Sequence, residues 1–393
     1  MRTLTLPVAL CAILLTSCNH RPVAAEDAIA GLTIANPSDL GINVRRLQII
    51  EEIVQQELSR DRMPGCVILI GYRGSIVYHE AFGHRQLQPE PLPMDKDTVF
   101  DMASLTKPMA TATSVMKLVE DGQVELDAPV STYIPEFTGS GKDTITVQQL
   151  LTHTGGLIPD NAMSDYENGP DTAFERIHSL GLISDPGTKF GYSDVGFIVL
   201  GELVERVSGS SVHEYSQRAI FEPLQMSETG FLPAEPLRAR AAPTEQRDGH
   251  WMQGEVHDPR AFALGGIAGH AGLFSTARDM ARYAQMMLNQ GSLGGVQVLK
   301  PETVERMTAG VEVSSGLRTA GWDMRSPYSS NRGDLMSSSA YGHGGFTGTG
   351  MWIDPELQLF VIFLSNRVHP DGKGSVNPLI GRIGTIAAAA LPE

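Results

Sequence analysis

The chain has 393 residues, of which 41% are hydrophobic and 19% are charged, a balance typical of globular rather than disordered or fibrous proteins. It carries 30 Lys and Arg residues against 45 Asp and Glu residues, giving a net charge of -15 with no basic run. Nucleic acid is therefore excluded as a partner, because phosphate binding needs clustered Lys and Arg. Three cysteines, at positions 11, 18 and 66, are too few for a disulfide framework.

The N-terminal residues have the pattern of an export signal. Arg2 supplies a positive charge, and the apolar run over 4–15 is too short to span a membrane as a stable helix. The run ends in Leu15-Thr16-Ser17-Cys18, which resembles a bacterial lipobox, where the cysteine is acylated and becomes the new N-terminus. A plain signal peptide cut near Val23-Ala24-Ala25 is the alternative.

We therefore expect a signal peptide over 1–17, lipidation at Cys18, and a tether over 18–39. The protein is then an exported bacterial lipoprotein, periplasmic or on the cell surface, and anchored to the membrane. No later stretch is long and apolar enough to predict a membrane span.

The hydrophobic pattern changes along the chain from helix to strand, then to helices, and back to strand. Apolar residues at helical spacing predict a first helix over 40–59, and two segments joined across Tyr72-Arg73-Gly74-Ser75 predict an antiparallel β-hairpin after it. Between Ser104 and Asp279 the pattern is helical, punctuated by Gly and Pro. The remaining predicted elements are strands over 66–70, 76–82, 351–353 and 359–364 and an Ala-rich helix over 378–391.

Strands at both ends and helices between them predict an α+β fold. We expect one antiparallel sheet formed from both chain ends, flanked by the terminal helices, with a large, mainly helical inserted lobe. The α/β lobe is placed at 40–100 and 335–393, and the helical lobe at 101–334. The Gly- and Ser-rich stretch 309–340 predicts long loops.

Several common catalytic motifs are missing from the sequence. It contains no Gly-x-Ser-x-Gly, no His-Glu-x-x-His, no P-loop and no complete Gly-x-Gly-x-x-Gly. An α/β-hydrolase nucleophile, a zinc site and a nucleotide site are therefore unsupported, and no metal or cofactor is expected.

The motif Ser-x-x-Lys occurs twice, at Ser104-Leu105-Thr106-Lys107 and at Ser114-Val115-Met116-Lys117. Ser114 falls inside a predicted helix, where its hydroxyl is shielded. Ser104 begins that helix, because Pro108 fits only in a first turn. A helix start offers free N–H groups to an oxyanion, and Lys107 lies on the same face as Ser104. Ser104 and Lys107 are thus the better candidates, although an ordinary capping serine beside a solvated lysine has the same pattern.

Two further motifs follow in the same order as in a known family. Tyr192-Ser193-Asp194 precedes one helical segment, and His343-Gly344-Gly345 precedes the strand at 351–353. With Ser104-Leu105-Thr106-Lys107, the chain resembles the serine β-lactamase and penicillin-binding-protein superfamily over about 45–390. The resemblance is strongest to its class C-like branch, which includes esterases and low-molecular-weight D,D-peptidases.

The resemblance implies a β-lactamase/transpeptidase-like fold and a role for each motif residue. Ser104 would be acylated, Lys107 would act as general base, and Tyr192 would pass protons to the leaving group and then activate water. The backbone N–H groups of Ser104 and Phe346 would form the oxyanion hole. The substrate would contact the residues Asp194, His343, Gly344 and Gly345.

Two departures from the family pattern bear on the substrate and the base. His343 stands where the family often has Lys, and Gly344 offers no hydroxyl, so recognition of a substrate carboxylate is weakened and esters are favoured. Asp194 stands where Asn is common, and its negative charge favours a charged Lys107. We therefore hypothesise that Tyr192 does more of the proton abstraction than Lys107.

The sequence as a whole predicts an exported serine hydrolase that forms an acyl-enzyme. Its expected substrates are carboxylic esters or peptidoglycan-related D-Ala amides. A β-lactamase, or a penicillin-binding module that senses without turnover, is the alternative. The expected partners are a small-molecule or cell-wall peptide substrate and the membrane, reached through the lipid anchor, with the oligomeric state left open.

Overall fold

The computed structural model describes residues 31–392 of the chain. The predicted signal peptide, the predicted lipidation site Cys18 and the first part of the tether lie outside the described residues. Within the described part, no helix combines the length and the apolar character that crossing a bilayer requires.

Residues 31–392 form seventeen strands and eleven α-helices. The strands are β1 (Thr33–Ile34), β2 (Gly65–Tyr72), β3 (Ser75–Gln86), β4 (Leu92–Pro93), β5 (Phe100–Asp101), β6 (Gly230–Phe231), β7 (Gln246–Arg247), β8 (His250–Trp251), β9 (Leu273–Ser275), β10 (Ser292–Leu293), β11 (Val296–Gln297), β12 (Val311–Val313), β13 (Gly316–Arg318), β14 (Asp323–Arg325), β15 (Tyr341–Gly344), β16 (Gly350–Asp354) and β17 (Leu359–Ser365). The helices are α1 (Val44–Leu58), α2 (Thr113–Glu120), α3 (Val147–Leu151), α4 (Pro170–Ser179), α5 (Asp194–Ser208), α6 (Val212–Ser216), α7 (Leu237–Arg240), α8 (Pro259–Ala263), α9 (Ala277–Leu288), α10 (Pro301–Thr308) and α11 (Asn377–Ala390).

A ten-stranded sheet joins the two ends of the chain. Its strand order is β1-β3-β2-β17-β16-β15-β14-β13-β12, with β4 also paired to β3. Strand β1 is parallel to β3, whereas β2 is antiparallel to both β3 and β17. The register places Cys66 opposite Ser365 and Tyr72 opposite Leu359, so the early hairpin pairs directly with the last strand. The prediction of one sheet built from both chain ends is confirmed.

The terminal helices cover one face of this sheet. Helix α1 has the predicted amphipathic pattern, and its buried residues pack in one cluster with α11 and with alternate residues of β2 such as Ile68 and Ile70. The intervening residues Val67 and Leu69 face the larger core of the helical lobe, where α9 packs on the other face. The alternation within β2 therefore divides the core into two layers.

Inside the helical lobe, helix α5 and the loop before β9 approach each other at two glycines. A Cβ added to Gly201 would lie 2.9 Å from the Cα of Gly269, and one added to Gly269 would lie 2.0 Å from the carbonyl oxygen of Phe197. Neither position tolerates a side chain without movement. This contact brings the carbonyl group of the next residue, His270, toward the predicted active site.

The stretch 309–340 is not simply the long loop that its composition suggests. Strands β12, β13 and β14 lie within it and extend the large sheet beyond β15. The expectation of long loops is wrong for this part. Three-residue strands, with a register shift between Leu317 and Arg318, are too short to give a readable alternation. Residues 311–325, which the predicted boundary at 334 assigns to the helical lobe, thus pair with the sheet.

Candidate active site

Ser104 lies in a 3-10 turn, Ala103–Leu105, directly after strand β5. Ala103 has a left-handed backbone with a φ of 46°, and its N–H donates to the Asp101 carboxylate at 2.8 Å. The buried Asp101 side chain therefore stabilises an unfavourable conformation beside the predicted nucleophile.

The helix after Ser104 does not begin as the regular α-helix that the sequence suggests. A π-helical segment, Lys107–Ala112, precedes α2. The N–H and the hydroxyl of Thr113 both bond to the carbonyl of Pro108, and the hydroxyl distance is 2.8 Å. Lys107 therefore lies at the start of this wider segment, before the regular helix begins. The alternative serine, Ser114, is buried in α2, as its position in the sequence suggests.

The Lys107 side chain is fully buried, and besides Tyr192 its ammonium group lies close to oxygen atoms of three residues. Nζ lies 3.0 Å from the Ser104 hydroxyl oxygen, 3.0 Å from the carbonyl oxygen of His270 and 2.6 Å from Oδ1 of Asp194. Burial by itself lowers the pKa of a lysine, but Asp194 and Tyr192 outweigh it and raise the pKa of Lys107 above its usual value. The resting form of Lys107 is the ammonium ion.

The Tyr192 side chain interacts with both Ser104 and Lys107, and Lys107 Nζ lies 5.0 Å from the centre of its ring. Burial raises the pKa of the phenol, although the Lys107 charge opposes this effect. The next residue, Ser193, caps helix α5 by accepting a hydrogen bond from the Gly196 N–H at 3.1 Å. The cap fixes the helix end at which Tyr192 and Asp194 lie.

Two further rings stack on Tyr192. The ring of His153 lies 4.4 Å from it at an interplanar angle of 28°, and that of Tyr328 lies 4.8 Å away at 26°. Tyr328 is 52% exposed, whereas His153 is buried. Tyr192 therefore has a rigid aromatic surrounding that reaches from the interior to the protein surface.

Strand β15 carries His343 and Gly344 past the site. Nδ1 of His343 donates to the carbonyl oxygen of Gly344 at 2.7 Å. Burial, together with the nearby charges of Arg318 and Lys107, holds the pKa of His343 well below its usual value. The imidazole is therefore neutral at pH 7, as the sequence analysis assumes for this position.

The segment that carries the Phe346 N–H is joined to the segment that precedes Ser104. The hydroxyl of Thr347 donates to the carbonyl of Asp101 at 2.8 Å, and that of Thr349 donates to the carbonyl of Met102 at 3.1 Å. A Cβ added to Gly345 would lie 2.1 Å from Oγ1 of Thr349 and 2.5 Å from the Met102 carbonyl oxygen. The two predicted oxyanion donors are thus carried on segments in close contact.

A cavity of about 640 Å³ opens between the sheet and the helical lobe. Lys107 lies buried beside this cavity, bonded to the Ser104 hydroxyl. The other predicted site residues line it, namely Ser104, Tyr192, Asp194, His343, Gly344, Gly345 and Phe346. The structure therefore brings together every predicted site residue within 31–392.

Sequence reasoning missed a buried cation in the wall of this cavity. Arg318 on β13 is fully buried, and its Nη1 lies 3.5 Å from Oδ1 of Asp323 on the neighbouring strand. None of its three side-chain nitrogens has a hydrogen-bond partner among residues 31–392. The only hint in the sequence is an Arg and an Asp on either side of Gly321-Trp322, in a stretch interpreted as loop.

One cluster beside the cavity has the donor atoms for a metal ion. Ligand atoms of Asp194, Asp258 and His270 lie within 4.8 Å of one another. Asp258 accepts from Nε2 of His270 at 2.9 Å, and this contact holds the pKa of Asp258 well below its usual value despite burial. The Lys107 ammonium group, 2.6 Å from Asp194, already supplies a cation to this cluster.

A buried lysine bonded to a serine hydroxyl, with a tyrosine beside both, next to strand β15 of a largely antiparallel sheet defines a serine hydrolase of the β-lactamase/transpeptidase fold. The family model described as Beta-lactamase matches residues 50–384. The chain therefore belongs to the Beta-lactamase family.

Relatives of the chain carry several different names. It is 33% identical, over 91% of both chains, to an Escherichia coli (strain K12) protein named "Putative D-alanyl-D-alanine carboxypeptidase". It is 31% identical, over 86% of this chain and 84% of the other, to a Bacillus subtilis (strain 168) protein named "N-acetylmuramyl-L-alanine amidase".

Solved structures show the same fold at lower identity. A class C beta-lactamase has a TM-score of 0.72 at 18% identity, covering 89% of this chain and 97% of its own. EstCE1, a hydrolase with promiscuous acyltransferase activity, has a TM-score of 0.71 at 21% identity, covering 88% of this chain and 99% of its own.

Proposed function

We propose that the protein hydrolyses peptides ending in D-Ala-D-Ala, through an acyl-enzyme on Ser104, and that Arg318 binds the terminal carboxylate of the substrate. The observation that carries this proposal is the buried guanidinium group of Arg318 in the wall of the cavity that also holds Ser104: it faces Asp323 at 3.5 Å, but among residues 31–392 none of its N–H groups makes a hydrogen bond. The names of several relatives point to the same substrate class.

The position of Arg318 fits a carboxylate ligand. Its strand, β13, lies two strands from β15, which carries His343, and Arg318 lines the same cavity as Ser104 and Phe346. A guanidinium group forms two parallel hydrogen bonds with a carboxylate. Each hydrogen bond to a charged group contributes about 1.5–3 kcal/mol, and the buried N–H groups of Arg318 gain partners when a carboxylate binds.

Arg318 compensates for the weak carboxylate binding that His343 predicts in the sequence. A neutral imidazole and a glycine give little attraction for a carboxylate. Arg318 supplies the missing positive charge from a neighbouring part of the sheet. The substrate preference favoured by the sequence, esters over charged peptides, is therefore reversed in this proposal.

The chemistry proceeds in two steps. The Ser104 oxygen attacks the carbonyl carbon of the scissile amide, and its proton passes by way of Tyr192 to the departing nitrogen as the C–N bond breaks, which releases D-Ala. Water, deprotonated by Tyr192, then attacks the acyl carbon. The bond from this carbon to the Ser104 oxygen breaks, Tyr192 returns the proton to that oxygen, and the shortened peptide leaves with a new C-terminal carboxyl group. The N–H groups of Ser104 and Phe346 stabilise the negative oxygen formed in both steps.

In this scheme Lys107 acts as a cation and Tyr192 as the base. A lysine accepts a proton only when it is neutral, and Asp194 keeps Lys107 charged. The ammonium group stabilises both the developing Ser104 alkoxide and the Tyr192 phenolate, which it contacts. Because burial raises the pKa of Tyr192, the phenolate becomes populated only at alkaline pH, and the reaction accelerates as pH rises.

Ester hydrolysis is the second candidate function. The neutral His343 lies three residues before Phe346, whose N–H is a predicted oxyanion donor, and it favours an uncharged substrate group beside it. An ester also has a better leaving group than an amide, so the same Ser104 chemistry acts on it.

The two functions are separated by paired peptides that end in D-Ala-D-Ala with either a free carboxylate or a carboxamide. We expect the wild-type protein to prefer the carboxylate by at least about 10-fold in kcat/KM, and Arg318→Met to lose this preference. Arg260→Met is the matched control, because Arg260 lines the same cavity but already donates to the carbonyl of Asn161 at 2.7 Å. An undiminished preference in Arg318→Met contradicts the proposal, and p-nitrophenyl ester hydrolysis that exceeds both peptides favours the esterase.

Ser104→Ala serves as the inactive control in every assay. Nitrocefin tests the β-lactamase alternative. A burst of product without steady turnover points to the sensing module instead of an enzyme.

We further propose that the protein is exported and anchored through a lipid on Cys18. The positive start, the short apolar run and the Leu-Thr-Ser-Cys sequence support this. Labelling of the protein with a radioactive fatty acid in bacterial cells tests it, and Cys18→Ser should remove the label. Label retained by Cys18→Ser contradicts the anchor.

A further inference from the structure

His153 holds the segment that carries Tyr192 at three consecutive residues. The carbonyl oxygen of His153 accepts from the Gly191 N–H at 2.9 Å, and its Nδ1 accepts from the Ser193 N–H at 3.1 Å. Between these bonds, the imidazole ring stacks on the Tyr192 ring at 4.4 Å. One residue therefore contacts the residue before Tyr192, Tyr192 itself and the residue after it.

The backbone of His153 adopts an unusual conformation that makes these contacts possible. Its φ is 57°, in the left-handed region that non-glycine residues rarely adopt. Its own N–H donates to the carbonyl of Leu150 at 3.2 Å, so the conformation is fixed just beyond the end of helix α3. Phe197 on helix α5 packs against the imidazole at 4.9 Å, which leaves the ring little room to turn.

The protonation state of the ring matches its role as an acceptor. Because Ser193 donates to Nδ1, the neutral ring carries its proton on Nε2. Burial and the nearby charges of Arg318 and Lys107 hold the pKa of His153 well below its usual value, so the ring stays neutral at pH 7. A charged ring would lose the bond to Ser193 and repel Lys107.

We propose that His153 is a positioning residue that fixes the Tyr192 hydroxyl between Ser104 and Lys107. The proposal rests on the proposed function, because it assumes that Tyr192 transfers the proton. His153 itself contacts no reacting atom. Its three contacts restrict both the backbone and the ring of Tyr192, and proton transfer depends steeply on such placement.

The test separates the two kinds of contact with two substitutions. His153→Asn keeps an acceptor for the Ser193 N–H and tolerates the left-handed backbone, but it removes the stacked ring. His153→Phe keeps a ring but removes the acceptor. Each is made in the wild-type protein and in Tyr192→Phe, and kcat, KM and the melting temperature are measured.

In the wild-type background we expect both substitutions to lower kcat by about 10- to 100-fold, with a much smaller change in KM. In the Tyr192→Phe background they should lower it less than about 3-fold, because no hydroxyl remains to be placed. The matched control is His178→Asn, another buried histidine, which pairs with Glu202 at 2.7 Å in the helical lobe and should change stability but not kcat.

Equal losses of kcat in both backgrounds, or a loss that His178→Asn reproduces, would overturn the positioning role. If His153→Phe does not fold, the His153→Asn comparison between the two backgrounds decides the matter alone. Activity that needs Ser104 but is indifferent to His153 removes this inference only. Activity that survives Ser104→Ala removes the proposed function as well.

Discussion

Lys107 Nζ lies 2.6 Å from Oδ1 of Asp194, while the same nitrogen bonds to the Ser104 hydroxyl at 3.0 Å. A partly exposed carboxylate in the cavity wall thus determines the charge of the residue that the Ser-x-x-Lys motif offers as a base. The motif supplies a serine and a lysine, but their neighbour decides whether the lysine acts as a base or as a cation.

Replacing Asp194 with Asn should move the active pH range toward acid. Loss of the carboxylate lowers the pKa of Lys107 and also that of Tyr192, both of which Asp194 raises. The rising limb of the kcat/KM profile should shift by about 1–2 pH units toward lower pH. The control is Asp160→Asn, which removes a carboxylate from the same cavity but not from Lys107. A profile that does not move contradicts the assigned electrostatics.

Replacing Tyr192 with Phe should lower kcat by about 10²- to 10⁴-fold and abolish the acceleration at alkaline pH. Lys107→Met should also lower kcat, because the cation that stabilises the phenolate is removed. The pH–rate profiles of the three proteins provide the measurement. If Tyr192→Phe keeps a near-wild-type kcat while Lys107→Met is inactive, Lys107 is the base and the proposal for Tyr192 is wrong.

Adding one methyl group at Gly345 should damage the oxyanion hole. The new Cβ would lie 2.5 Å from the Met102 carbonyl oxygen, so the segment carrying the Phe346 N–H must move away from Ser104. We expect kcat to fall by about 10²- to 10³-fold, the loss associated with one missing donor. Gly181→Ala is the control, since nothing lies within 4 Å of its added Cβ. Equal activity in the two variants would show that the segment tolerates the shift.

The stability of the protein should depend on pH through Asp279, which lies far from Ser104 in the sequence. Burial raises the pKa of Asp279 to about 6, although it accepts a hydrogen bond from Thr229. The unfolded chain has a value near ~3.9, so the folded state binds more protons between these values. The stabilisation is complete below about pH 4 and is lost as pH rises through about 6.

This contribution is on the order of 2–3 kcal/mol, and Asp279→Asn should remove it. Urea unfolding of both proteins between pH 4 and 7 measures the difference in the free energy of unfolding. A pH dependence that is the same with and without the carboxylate would refute the assignment.

The sequence alone predicted the site residues that belong to short motifs occurring in a known order along the chain. Ser104, Lys107 and Tyr192 converge as their motifs predict, and the apolar run Val67 to Ile70 forms the predicted strand, which the structure buries on both faces. These signals are local and repeat within a few residues, so a single chain shows them.

The residues that the sequence did not reveal depend on contacts between distant segments. Arg318 sits on a three-residue strand, and only the pairing of β13 with β14 and β15 brings it to the cavity. Nothing in the sequence distinguishes Tyr328 from other surface tyrosines, and only the fold stacks its ring on that of Tyr192. The π-helical turn after Ser104 was also beyond prediction, because it arises from how Pro108 and Thr113 bond within the fold.

The pairing of strand β2 with strand β17 has a consequence for how the protein is made. The ribosome synthesises the hairpin β2–β3 early, but the neighbour that covers the exposed edge of β2 ends at Ser365. Until β17 is made, the apolar strand β2 pairs with β3 on one edge only. Nascent chains that stop before residue 359 should therefore be bound by chaperones or degraded. The complete sheet can assemble only after strand β17 has been synthesised.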